Sequence, residues 1–243
     1  MTAGQVLLLR HGRTAFNLEG RFQGRMDVPL DDVGQWQAEQ AAKAIHGAYR
    51  VTRVVSSDLS RAAATAAAFA TLAGLDVRTD ARLREWAYGA WEGMRTSDIQ
   101  ERWPQQYAAW RAGQDPGGAG QETRAQVAAR VVEAIDAAGR DLGAGDTLLV
   151  VSHGAATRLA VTALLGFDPA VSRAFGGMEN AHWSHLRYLG PTAQPPWQVA
   201  AHNAGAWVGV DAWAPTHHQG EAADGAADGG GAEADLDLGT SSA

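Results

Sequence analysis

Two short stretches carry the side chains best suited to chemistry, Arg10-His11-Gly12 and Ser152-His153-Gly154. A guanidinium holds an anionic oxyacid by paired hydrogen bonds, and an imidazole beside it can attack, shuttle a proton or donate a hydrogen bond. Each stretch closes an apolar run, Val6-Leu7-Leu8-Leu9 in one case and Thr147-Leu148-Leu149-Val150-Val151 in the other. Such runs, stopped by polar residues and a glycine, read as buried strands, and α/β proteins bind ligands just past the carboxyl ends of their strands. Gly12 is expected to let the backbone turn sharply there. For the first tripeptide alone, a strand that merely ends in two polar residues is an equal reading, so the rest of the chain has to decide.

The elements that would position these residues are those of an α/β fold. Residues 11–33 make a loop too long for a simple connection, which in a compact domain points to function. It holds Arg13, Thr14, Asn17, Arg21, Gln23 and Arg25. An Ala-rich helix follows over residues 34–45, then a strand over 53–56. Asp58 reads as the N-cap of a second Ala-rich helix that runs to about Leu72 and ends at Gly74. Residues 75–78 read as a third strand, 122–142 as an amphipathic helix with Val127, Val131, Ile135 and Leu142 on one face, and 155–165 as another helix. Residues 183–189 and 197–201 are weaker strands.

This alternation implies a mainly parallel central sheet with helices on both faces. The carboxyl ends of neighbouring strands then share one edge, so His11 and His153 can meet. Arg61 falls in the first turn of the helix after the second strand, where the helix dipole disfavours a cation, and a bound anion would offset that. A solvated surface arginine is the bland alternative. Residues 82–120 interrupt the rhythm with Trp86, Tyr88, Trp91, Trp103, Tyr107 and Trp110, closing in Pro116-Gly117-Gly118. The aromatic-rich insertion, about 86–120, is expected to form a lid, although such rings are more often core than a sugar platform.

Composition narrows the function. The domain is placed at residues 1–218, and residues 219–243, acidic and rich in Gly and Ala, are expected to be a disordered tail. The 243-residue chain carries a formal charge of -7, and the six acids of that tail leave the remainder at -1. Without a basic excess to release counterions, nucleic acid is not expected as a partner. The chain has no cysteine, which removes disulfides, thiolate zinc sites and cysteine nucleophiles and fits a reducing compartment. No run approaches the roughly 20 apolar residues of a membrane span. A soluble, cytoplasmic protein is expected, and a homodimer is left open. His217-His218 lacks a third ligand at useful spacing, so no metal site is read there. The sole lysine, Lys43, lies in an ordinary helix with no P-loop, and Val151-Ser152-His153-Gly154 is not an esterase elbow.

Arg10-His11-Gly12 after a strand, Ser56-Ser57-Asp58 followed by Arg61, Leu83-Arg84-Glu85, and Ser152-His153-Gly154 after another strand resemble, in this order, the histidine phosphatase superfamily with its phosphoglycerate-mutase-like fold. The resemblance covers roughly residues 6–189. Within the family, residues 83–93 and Gly176-Gly177-Met178-Glu179-Asn180-Ala181 with Trp183 look most like glucosyl-3-phosphoglycerate phosphatases. Cofactor-dependent mutases usually read His-Tyr-Gly where this chain has Trp86-Ala87-Tyr88-Gly89.

The resemblance implies a metal-independent phosphomonoesterase that needs no cofactor and acts on a small phosphorylated metabolite through a phosphohistidine. His11 would be the nucleophile. Arg10, Arg61 and His153, with Gly154, would clamp the phosphoryl group, and Asn17 and Gln23 would add neutral donors. Glu85 would be the general acid and then the base that activates water, kept protonated by partial desolvation beside Trp86 and Tyr88. The bland alternatives are a Glu85 paired with Arg82 or Arg84 and an Asn17 that only caps a turn. A mutase, an α-ribazole or broad-specificity phosphatase, and an inactive phospho-ligand binder remain as alternative functions.

Overall fold

The computed structural model describes residues 3–206 apart from 116 and 119. The expected tail, the boundary at residue 218 and His217-His218 lie outside the described residues. Strand β1 (Gln5–Arg10) leads into the short helix α1 (Ala15–Glu19) and then α2 (Asp32–Ala48), β2 (Val51–Ser56), α3 (Ser60–Ala73) and β3 (Val77–Thr79). The insertion holds α4 (Thr96–Arg102) and α5 (Pro104–Arg111). It is followed by α6 (Arg124–Gly139), β4 (Thr147–Ser152), α7 (Gly154–Leu164), β5 (Trp183–Tyr188) and β6 (Trp197–Ala204).

The six strands form one sheet in the order β3-β2-β4-β1-β5-β6. β1 to β4 run parallel, and β5 and β6 close one side antiparallel. Arg10 lies opposite Ser152, and Ser56 opposite Val151, so three strands end level with one another. This registry places the residues after β1, β2 and β4 at a common edge.

β1 and β4 are apolar throughout because both faces of the sheet are covered. Val6, Leu8, Leu148 and Val150 pack with α6, α7 and the insertion, while Leu7, Leu9, Leu149 and Val151 pack against α2 and α3. Of the face expected from sequence, Val127, Val131 and Ile135 lie on α6 and are buried, whereas Leu142, also buried, falls beyond the helix, which ends at Gly139. Helix ends follow local chemistry. The Asp31 side chain accepts from Gly34 N–H at the start of α2, Thr123 and Gln126 form a capping box on α6, and Gly74 ends α3 at φ 67°.

Asp58 corrects one expectation. α3 begins at Ser60 with Leu59 as its N-cap and no side-chain cap bond. The Asp58 carboxylate accepts instead from the Arg84 guanidinium, 2.8 Å from Nε. A full guanidinium within reach outcompetes a backbone N–H for that carboxylate.

The rings of the insertion are core. Trp91 is completely buried, and Phe22 from the long first loop meets Tyr88, Trp91 and Trp110 edge-on at 5.0, 5.9 and 5.4 Å. Loop and insertion are also joined through backbone, where Phe22 N–H donates to Met94 O and Gly93 N–H to Phe22 O. Among the described residues no helix is long and apolar enough to cross a membrane.

Candidate active site

The chain leaves β1 with Arg10, whose backbone N–H still bonds to His182 O and whose guanidinium donates to Met178 O. His11 follows, 2% exposed. Its Nδ1 lies 2.6 Å from Gly12 O. A carbonyl oxygen can only accept, so Nδ1 carries the proton and Nε2 keeps its lone pair. His11 O is itself held by Ala181 N–H and Asn180 Nδ2.

Gly12 is needed for a reason other than the expected turn. Its φ is not in the left-handed region, but a Cβ there would stand 2.2 Å from Gly34 O, and a Cβ on Gly34 would stand 2.0 Å from Arg13 O. The loop after β1 lies flat against the start of α2, and two glycines permit the approach.

Arg61, in the first turn of α3, is fully buried, which excludes the surface reading. It donates from Nη1 to Met26 O (2.7 Å), from Nη2 to Gly24 O (2.8 Å) and from Nε to His153 Nδ1 (3.2 Å). All three partners are neutral. Burial pulls its pKa down to about 10, against the favourable fields of Glu85 and Asp27, which leaves it a cation at neutral pH.

His153, the N-cap of α7, must accept at Nδ1 because a guanidinium has no lone pair to offer. Its proton therefore sits on Nε2, 2.9 Å from Ser57 Oγ. The two imidazoles meet edge to face with ring centroids 5.2 Å apart. Burial, then the charges of Arg61 and Arg10, push the His11 pKa well below 6.5. Burial and then Arg61, His11 and Arg10 do the same for His153. Both rings are neutral at neutral pH, and the fixed positive charge of the cluster resides on its arginines.

Glu85 stands across from them on the segment after a 3-10 turn, 9% exposed. Its carboxylate accepts from Ala155 and Ala156 N–H at the amino end of α7, at 3.1 and 2.9 Å, and from Trp86 N–H at 2.8 Å. Arg82 is engaged by Asp80 and Glu133, and Arg84 by Asp58, so neither takes Glu85 as its ion-pair partner. The immediate neighbours of the carboxylate are backbone donors. Trp86 and Tyr88, expected to line it, stack on each other at 5.4 Å, with Arg124 over the Trp86 ring.

The donors expected from the first loop are present in mixed roles. Asn17 does take part in the capping box of α1, its Oδ1 accepting from Thr14 N–H and from Asn180 Nδ2. Gln23 Oε1 accepts from Thr14 Oγ1 at 2.9 Å. With both amide oxygens engaged, the nitrogens are the ends able to serve an anion. Gly154 opens α7 directly after His153.

Ser57, Asn180 and Met178 belong to the site although sequence reasoning gave them no role. All three lie in stretches that carried the family resemblance. Their contacts with His153, His11 and Arg10 span 96 to 169 residues, and no local pattern encodes such separations. Among the described residues no cluster of three or more His, Cys, Asp or Glu side chains could hold a metal ion.

The model of the histidine phosphatase superfamily (branch 1) matches residues 6–198. A glucosyl-3-phosphoglycerate phosphatase of Mycobacterium tuberculosis is 35% identical over 222 residues, which is 87% of this chain and 99% of that protein. A solved structure of a mycobacterial glucosyl-3-phosphoglycerate phosphatase complexed with VO3 superposes with a TM-score of 0.75 at 34% identity, covering 83% of this chain and 99% of the other. A protein of Yersinia enterocolitica named probable phosphoglycerate mutase is 34% identical over 197 residues, 79% of this chain and 87% of its own.

Proposed function

Because the chain belongs to the histidine phosphatase superfamily, we propose that it hydrolyses a phosphomonoester of a small metabolite through a phosphohistidine on His11, without metal or cofactor. The observation that carries the reading is the His11 ring, its Nδ1–H donating to Gly12 O and its Nε2 lone pair free to attack in a site lined by arginines.

In the first step Nε2 attacks phosphorus and the ester P–O bond breaks. Arg10 and Arg61 compensate the charge on the equatorial oxygens, and the Nε2–H of His153 donates to one of them in place of Ser57 Oγ. The amide nitrogens of Asn17 and Gln23 add neutral donors, with the backbone at Gly154 alongside. Glu85, as the general acid, gives a proton to the departing alkoxide. In the second step the Glu85 carboxylate takes a proton from water, whose oxygen attacks the phosphohistidine. The P–N bond breaks, and the electron pair returns to Nε2.

Glucosyl-3-phosphoglycerate is the substrate we favour, since similarity to the phosphatase of that name extends over 99% of the relative's length. The mutase reading is disfavoured by Trp86-Ala87-Tyr88-Gly89, which departs from the mutase pattern. A cytoplasmic enzyme fits a chain without cysteine. Light scattering of the purified chain tests whether it forms a homodimer.

The test is a panel of phosphorylated metabolites assayed with excess chelator, including glucosyl-3-phosphoglycerate and 3-phosphoglycerate. Released phosphate and isomerised product are both measured. We expect phosphate release with the highest kcat/KM on glucosyl-3-phosphoglycerate. Dependence on metal, or isomerisation outrunning hydrolysis, would overturn the reading.

A further inference from the structure

Glu85 sits in a stretch that has no helix or strand of its own, between 3-10 turns at Ala81–Leu83 and Gly89–Trp91. The backbone carbonyls from Arg82 to Glu85 are nevertheless satisfied. Arg130, on α6, donates from Nη1 to Arg82 O (2.7 Å) and to Arg84 O, and from Nη2 to Glu85 O (2.9 Å). Its Nε and Nη2 also donate to the two oxygens of Glu122, both at 2.9 Å. A guanidinium has five N–H groups, and here all five are used. Ser152 Oγ takes Leu83 O, and Glu122 holds the end of the stretch by accepting from Ala87 N–H while its own N–H donates to Ala87 O.

We propose that Arg130 is the positioning residue for the general acid. Its planar fork fixes the main chain on both sides of the Glu85 Cα, while the amino end of α7 fixes the carboxylate. Arg130 touches neither substrate nor phosphorus and acts on the proton transfer through Glu85, while its charge, which Arg130→Lys keeps, adds a smaller field at His153. Glu122 keeps the fork in plane and balances its charge. Burial raises the Glu122 pKa, but the bonds from Arg130 and Ala87 N–H and the charge of Arg25 outweigh that, so it is an anion at neutral pH. Lysine could keep the charge but not three carbonyls and a bidentate carboxylate at once.

This inference rests on Glu85 being the general acid, and the experiment separates the two ideas. Arg130→Lys, Arg130→Met, Glu85→Gln and the Glu85→Gln/Arg130→Met double variant are compared with the parent in single-turnover phosphoryl transfer to His11. The donors are glycerol phosphate, whose alkoxide needs a proton to leave, and p-nitrophenyl phosphate, whose nitrophenolate does not. Both Arg130 variants are expected to slow transfer from glycerol phosphate about 10- to 100-fold, the cost of a carboxyl misplaced by about an ångström. Transfer from the nitrophenyl ester should fall less than about threefold, because it does not draw on the acid. In the Glu85→Gln background, loss of Arg130 should leave the ratio of the two rates unchanged.

Equal slowing with both donors, or a further change of ratio in the double variant, would make Arg130 a structural residue and overturn the proposal. If Arg130→Met fails to fold, Arg130→Lys with an unchanged near-ultraviolet spectrum decides it. A Glu85→Gln enzyme that shows no preference between donors would defeat the general-acid reading itself, and the proposal with it. A preference in Glu85→Gln that is absent from Arg130→Lys would defeat the proposal alone.

Discussion

His11 and His153 follow strands paired along their whole length, whereas Glu85 rides on a stretch with no regular structure. In the first region the backbone bonds to itself, and a register of Arg10 opposite Ser152 is enough to bring two imidazoles to 5.2 Å. In the second, the carbonyls need partners from elsewhere, and those of Arg82, Leu83, Arg84 and Glu85 find them in side chains on α6 and β4. The proposed grip on phosphate thus rests on the sheet edge, while the placement of the proposed proton donor depends on long side chains and on an aromatic core beneath them. The two parts should be separable by mutation.

The largest effect should follow from His11→Ala, which removes the proposed nucleophile while leaving β1 and β4 paired. Turnover should fall by roughly 10,000-fold or more, and acid-quenched enzyme should lose the acid-labile phosphate found in the parent. Thermal unfolding should change little. A collapse of the fold would show that the cluster supports the sheet rather than the reverse.

Trp91→Ala should cost about 3–5 kcal/mol of stability, the usual consequence of emptying a fully buried Trp site. It strikes the insertion and its contact with Phe22 but not the paired strand ends, so inorganic phosphate should bind with near-parental affinity by calorimetry while hydrolysis of alkyl phosphates drops. Loss of both together would show that the two regions are one cooperative unit.

Acid should strain the sheet edge next. His11 and His153 have folded pKa values well below 6.5, so above that pH neither folded nor unfolded chain is protonated there and no stability is lost. Below about 6.5 the unfolded chain takes up protons that the folded one refuses. Stability should then fall by about 1.4 kcal/mol per pH unit per histidine until the lowered folded values are reached. Nuclear magnetic resonance of the free enzyme should show both rings untitrated between pH 8 and 6. A midpoint near 6.5 for either ring would contradict the burial and the nearby arginines.

The contrast also explains what could be read from the sequence. β1 and β4 were legible because strands covered on both faces are apolar without interruption, and their ends marked His11 and His153. Arg61 was legible because a cation in the first turn of α3 needs a reason. Asp58 misled because a good capping residue also makes a good ion pair, and its partner Arg84 lies 26 residues away. Gly12 was noticed, but the cause, a helix start pressed against the loop, is a tertiary fact. Least legible was the support of Glu85. Arg130 sits on an amphipathic helix like any surface arginine, and only the folded chain reveals five donors spent on one loop.

The bond from His11 Nδ1 to Gly12 O reaches further than the orientation of one ring. Many imidazoles at reactive centres are steered by a carboxylate, which a single substitution can delete and which titrates in its own right. Here the steering atom belongs to the peptide backbone. It has no protonation state to lose in acid, and a substitution reaches it only by shifting the main chain, as a Cβ at Gly12 would. A scan that replaces residues one at a time would leave it undetected, while replacing that amide by an ester through chemical synthesis would weaken the acceptor without altering a side chain. The tautomer of the proposed nucleophile is thus set by the main chain rather than by a replaceable side chain.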